Sequence, residues 1–161
     1  MQPDLLARFV TAAGSEPPRF TVEQNLSGTR ELAELVDTAT REAAQAGRID
    51  FAARAERGIA AIEGCALHVT VTTLQGPILL SDYLVTRCVE AVVHGGDLVE
   101  PVEPDAQALE IAATALMALL TARDTGLVEA ARAMPAIEWL AVATGRAPVP
   151  AGFDGVLPLM A

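Results

Sequence analysis

Lysine is absent from this chain of 161 residues, and all 11 of its basic residues are arginines, set against 21 acidic ones for a net charge of −10. No basic cluster stands ready to neutralise a phosphate backbone, which argues against nucleic acid as a partner. Cysteine is nearly absent too: Cys65 and Cys88 do not make a disulfide framework. Cys88, among Val85, Val89 and Val92, reads as a reduced core residue. Long apolar runs are lacking. The longest, Ile111 to Leu120, is interrupted by Thr114 and falls short of the roughly 20 residues needed to span a bilayer. The opening MQPDLLARFV has no basic stretch followed by an apolar one, so no signal peptide is expected and a reducing cytoplasm is.

What is present suffices for a core. Hydrophobic residues make up 52% and charged residues 20%, a balance that offsets the entropy of chain ordering in one domain spanning residues 1–161. The pattern is mainly helical. Leu5, Leu6, Phe9 and Val10 suit a short helix broken at Gly14 to Pro18, and Thr29 suits the N-cap of a helix running to Gly47. Another helix starts at Asp50 and ends near Gly64. His68 to Thr73 alternates and is rich in β-branched residues. With a turn at Gln75-Gly76-Pro77 and a return through Ile78 to Leu80, it predicts a small β-hairpin near 68–80. Ser81 then suits the N-cap of a helix that stops at Gly95-Gly96. Pro101 and Pro104 mark a loop. Asp105 to Arg123 forms a long helix with Leu109, Ala112, Ala113, Leu116, Leu119 and Leu120 inward. Short helices follow from Leu127 and from Pro135, the latter closing at Gly145, and the apolar end Val156 to Met160 is expected to pack back.

The helix after Ser81 carries the chemistry. Tyr83, Arg87, Glu90, His94 and Asp97 fall on one narrow stripe, while Leu84, Val85, Cys88, Val89, Ala91, Val92 and Val93 cover most of the rest. Such a stripe either faces solvent, held by pairs such as Arg87 with Glu90, or faces a ligand. Glu90 and His94, one turn apart, offer an oxygen and a nitrogen donor that together suit zinc or a similar divalent ion.

The wording of this helix resembles a family signature. Asp82-Tyr83-Leu84, Arg87, Glu90, His94 and Asp97-Leu98 match the spacing found in the mycothiol-dependent maleylpyruvate isomerase family. The close, Glu138-Trp139-Leu140-Ala141-Val142-Ala143-Thr144-Gly145-Arg146 and later Leu157-Pro158-Leu159, is similar to that of its shorter members. The resemblance runs from about Thr21 onward. It implies a DinB-like helical bundle and a divalent metal, zinc above all, held by two histidines and a glutamate. Glu90 and His94 match two of these positions. It further implies mycothiol as a thiol cosubstrate, activated on the metal to attack a small electrophile, in an isomerase or a transferase. Arg87, Asp97 and Tyr83 are candidates to orient the ligands or to meet substrate. The family's third ligand lies on an early helix, yet no histidine precedes His68 here. The chain therefore reads as a reduced member, or as one whose gene start is placed too far downstream. His68 is either a replacement ligand or a surface residue at a strand edge. A bundle short of a helix would expose apolar surface and favour a homodimer. The alternative is a non-catalytic helical interaction domain that keeps the fold without a complete metal site.

Overall fold

A computed structural model of the chain describes residues 21–27, 51–73 and 76–160. The expected helices at Leu5 to Val10 and Thr29 to Gly47, the Asp50 start and the turn residue Gln75 lie outside the described residues. The fold is mainly helical with one small two-stranded antiparallel sheet, as the sequence pattern predicts. No helix among the described residues is long and apolar enough to cross a membrane. Contacts group the chain into two compact units. One runs to Ser81 without Val22–Ser27; the other joins Val22–Ser27 to the chain from Asp82 onward.

In the first unit, α2 (Phe51–Ile62) precedes a hairpin of β1 (Thr70–Thr72) and β2 (Pro77–Leu79). The register pairs Thr70 with Leu79, Val71 with Ile78 and Thr72 with Pro77. Pro77 sits at the first position of its strand, where a missing N–H is tolerated. Thr73 and Gly76 exchange backbone hydrogen bonds of 2.9 and 3.1 Å across the turn, and Gly76 holds the positive φ of 130° that glycine adopts most readily. The strand starts later than its β-branched run suggests. His68 lies exposed in the turn before it, because the Val69 N–H bonds back to the Ala66 carbonyl instead of entering a ladder.

The next helix, α3 (Leu80–Gly96), begins directly on the strand, so Ser81 lies inside it and is not its cap. Helix starts carry orphan N–H donors, and a capping side chain is one remedy among several. Here the Leu80 and Ser81 amides donate to the carbonyls of Val69 and Leu67, at 2.8 and 3.0 Å, so part of that demand is met by the hairpin backbone.

The second unit contains α1 (Val22–Ser27), the body of α3, α4 (Ala106–Arg123), a 3-10 turn (Thr125–Leu127), α5 (Val128–Arg132) and α6 (Ala136–Ala143). The Asp105 carboxylate caps α4 by accepting from the amides of Gln107 and Ala108, at 2.9 and 3.1 Å. Ala112, Ala115, Leu116, Leu119 and Leu120 are its buried residues, with Leu109 and Ala113 half-buried beside them. Small residues on that face let α6 approach closely, and the Trp139 indole N–H donates to the Ala113 carbonyl at 3.3 Å. Leu26, Val89, Val93, Leu140, Phe153, Leu157 and Leu159 complete the core. The apolar tail thus packs back as expected. Arg123 fastens it, its guanidinium donating to the carbonyls of Val156, Pro158 and Leu159.

Candidate metal centre

The chemistry gathers at the C-terminal end of α3. Thr86, Val89 and Val93 turn into the core, which leaves Glu90 and His94 on the outer side. Helical side chains lean toward the N-terminus, so each long side chain tends to meet the residue one turn before it. His94 accordingly meets Glu90, with Nε2 and Oε2 3.2 Å apart. Arg87 likewise meets Tyr83, its guanidinium carbon 5.2 Å from the ring centre, and its Nε donates to the Thr86 hydroxyl at 3.3 Å. An Arg87–Glu90 pair is therefore not formed: Glu90 lies on the wrong side along the helix, and the aromatic face takes the cation instead.

Past Gly96 the chain turns, the Asp97 amide donating to the His94 carbonyl at 3.2 Å. This returns the Asp97 carboxylate to the imidazole, with Oδ2 2.9 Å from Nδ1. An ionised carboxylate can only accept, so the proton of that bond sits on Nδ1. The lone pair of Nε2 is then aimed at Glu90 Oε2, another acceptor. Two acceptors at 3.2 Å need a cation between them or a second proton on the ring. With metal–ligand bonds of zinc length, adjacent donors of a tetrahedral site lie about 3.3 Å apart. The pair therefore fits one chelating edge of such a site. A carboxylate behind the histidine is also the usual partner that fixes its tautomer for metal binding.

Asp97 is itself clamped. Arg146 Nε donates to Oδ1 at 2.7 Å, and Nη2 donates to Oδ2. A helix ending makes this reach feasible. Gly145, at φ +73°, reverses the chain after α6, so the Arg146 amide bonds the Ala141 carbonyl and the Gly145 amide bonds that of Val142. This double closure is the Schellman ending, which glycine permits without strain. Nη1 also donates to the Thr144 carbonyl at 3.1 Å, which fixes the guanidinium plane. The Arg146 hydrogen bonds, with help from His94, hold the Asp97 carboxyl well below the usual carboxylate range. Asp97 and, more weakly, Glu90 raise Arg146 in return. A carboxyl lowered in the fold stabilises it above the unfolded value of about 4 and loses that contribution as pH falls further. Melting temperatures of the protein and an Asp97→Asn variant, measured from pH 7 to pH 2, are thus expected to differ near neutrality, with the gap narrowing progressively as pH falls below about 4. A constant gap would show that the charge of Asp97 does not matter.

The structure brings together Glu90, His94 and Asp97 and separates off Tyr83 and Arg87 as a pair of their own. Arg146 was not singled out as a functional residue by sequence; only its place after Gly145, at a helix end, hints at it. Cys88 is half-buried, its Sγ 3.5 Å from the Ala108 carbonyl. Burial, and then Asp105, push its thiol up, so it remains a neutral thiol rather than a nucleophile. A groove of about 560 Å³ lies elsewhere, lined by Leu109, Met117, Met134 and Trp139 among others, and includes none of the site residues.

Catalytic zinc usually keeps three protein ligands. Among the described residues, no group of three histidine, cysteine, aspartate or glutamate side chains stands together to hold a metal. Glu90 and His94 thus fit as half of a site. No family model, curated protein or solved structure matches the chain.

Proposed function

We propose that this chain is a divalent-metal-binding domain of the maleylpyruvate isomerase type, working with a thiol such as mycothiol on a small electrophile in the reducing cytoplasm. The observation that carries the reading is the pair of facing acceptors, His94 Nε2 and Glu90 Oε2, held by Asp97 and Arg146. Glu90 and His94 would hold the ion, zinc being the best match to one nitrogen and one oxygen donor. A bound zinc supplies a charge that lowers the pKa of a coordinated thiol, making thiolate available near neutral pH. Asp97 keeps the imidazole in the tautomer with Nε2 free. Arg87, exposed and stacked on Tyr83, offers a positive charge to an acidic substrate.

One observation favours a second reading, a helical interaction domain without catalysis: the absence of a three-donor group among the described residues. Metal content separates the two. Purified protein equilibrated with zinc and freed of excess is expected to retain it, and a Glu90→Ala, His94→Ala double variant is expected to lose it. Elemental analysis that finds no zinc in the unaltered protein would leave the interaction domain as the better reading.

A further inference from the structure

The donor count at the end of α3 and the surface around it carry a second step. We propose that the Glu90–His94 pair is completed by the same pair from a second copy of the chain, so that one divalent cation bridges two molecules. This rests on the metal reading above for the Glu90–His94 pair alone: the bridged site, with four protein ligands, has no open position for a thiol and is a structural one.

Each chain supplies one nitrogen and one oxygen at the separation of a tetrahedral edge. A two-fold axis through the cation turns one edge into two and closes a site of two histidines and two glutamates, with one surface patch serving both partners. The donors are placed for this. His94 is 63% exposed and Glu90 27%, so the open side of the pair faces outward from the chain that carries it.

The neighbouring surface suits a protein partner. The segment after α3 is tied back to it by the Val102 amide on the Gly95 carbonyl, at 3.1 Å. It presents Leu98, Val99 and Val102 with more than half of each exposed. Single exposed aliphatics are ordinary, but these three fall within five residues of one another, directly after Asp97 in sequence. The same segment carries Glu100 and Glu103, both exposed, close in sequence to Glu90 and Asp97. Two such surfaces brought together without a cation repel one another, in chains that already carry a net charge of −10 each. The ion supplies both the missing bonds and the missing positive charge. Association through this face is therefore metal-dependent.

Sedimentation velocity on the full chain, stripped of metal and then titrated with zinc, tests this. The expected result is a monomer that becomes a dimer, complete at one zinc per two chains and reversed by a chelator. His94→Ala is expected to abolish the zinc response. Val99→Asp, on a fully exposed side chain, is expected to weaken the dimer at least tenfold, with the circular dichroism spectrum unchanged in both variants. One zinc per chain bound to a monomer would overturn the bridge while leaving the metal reading intact. A dimer that forms without zinc and survives His94→Ala would overturn it too. Failure to bind zinc at all would remove both readings.

Discussion

Replacement of Trp139 by alanine is expected to destabilise the second unit by about 3–5 kcal/mol, the range for truncating a large buried aromatic. Trp139 is 1% exposed and belongs to the core cluster shared by α4, α6 and the tail. Its indole N–H also donates to the Ala113 carbonyl. The alanine variant leaves a cavity and gives up the indole hydrogen bond, while the Ala113 carbonyl keeps its helical donor inside α4. Against a total stability of roughly 5–15 kcal/mol, this approaches loss of the fold. Trp139→Phe separates the parts, since it keeps most of the ring and gives up the hydrogen bond, for an expected cost of about 1–2 kcal/mol. Urea unfolding followed by circular dichroism reads both, the variants having lost the chain's one tryptophan as a fluorescent probe. An alanine variant within 1 kcal/mol of the parent (about a fifth of the smallest expected total) would mean that Trp139 is not a keystone of this unit.

Exchange of Asp97 for asparagine is expected to weaken zinc binding about 10–100-fold, the usual effect of losing a group that orients a ligating histidine. Asp97 accepts on both oxygens, from His94 Nδ1 and from Arg146. An amide has one accepting oxygen; placed where Oδ2 lies it still serves His94 Nδ1 and Arg146 Nη2, but its NH2 then faces the Arg146 Nε–H. The variant thus loses the negative charge and one of the three bonds that orient the imidazole. The measurement is zinc affinity by competition with a chelator of known strength. A second readout needs no metal. Nitrogen-15 chemical shifts of the His94 ring, taken where the ring is neutral, are expected to report the Nδ1–H form in the parent and a mixture in the variant. Unchanged shifts and unchanged zinc affinity would reduce Asp97 to a fastening for the tail of α6.

The parts of this structure that were legible in the sequence are those decided by neighbours along the chain. The period of α4 shows in Ala112, Leu116, Leu119 and Leu120, and the hairpin shows in the β-branched run before Gly76. The juxtaposition of Glu90 with His94 follows from one helical turn. What was hidden depends on groups far away in sequence or on direction. Ser81 looks like a cap because its side chain suits one, yet the carbonyls of Leu67 and Val69 had already taken up the backbone donors. Arg87 looks like a partner for Glu90 by spacing, but the lean of helical side chains sends it to Tyr83. The Asp97–Arg146 clamp joins residues from the ends of two helices through a Schellman turn, and no local pattern encodes that meeting.

The Arg123 fastening of the tail has a consequence for how the molecule is made. The core of the second unit draws together Leu26, Leu157 and Leu159, residues far apart along the chain. During synthesis α1 emerges long before its partners, and α4 can form without being able to close its core. The carbonyls that Arg123 binds follow it by 33 to 36 residues. The unit is therefore assembled late, as a whole, and its nascent form carries the apolar face of α4 uncovered until then. Contacts so distant in sequence slow folding, and a half-made chain of this kind is a natural client for chaperones that bind exposed aliphatic surface.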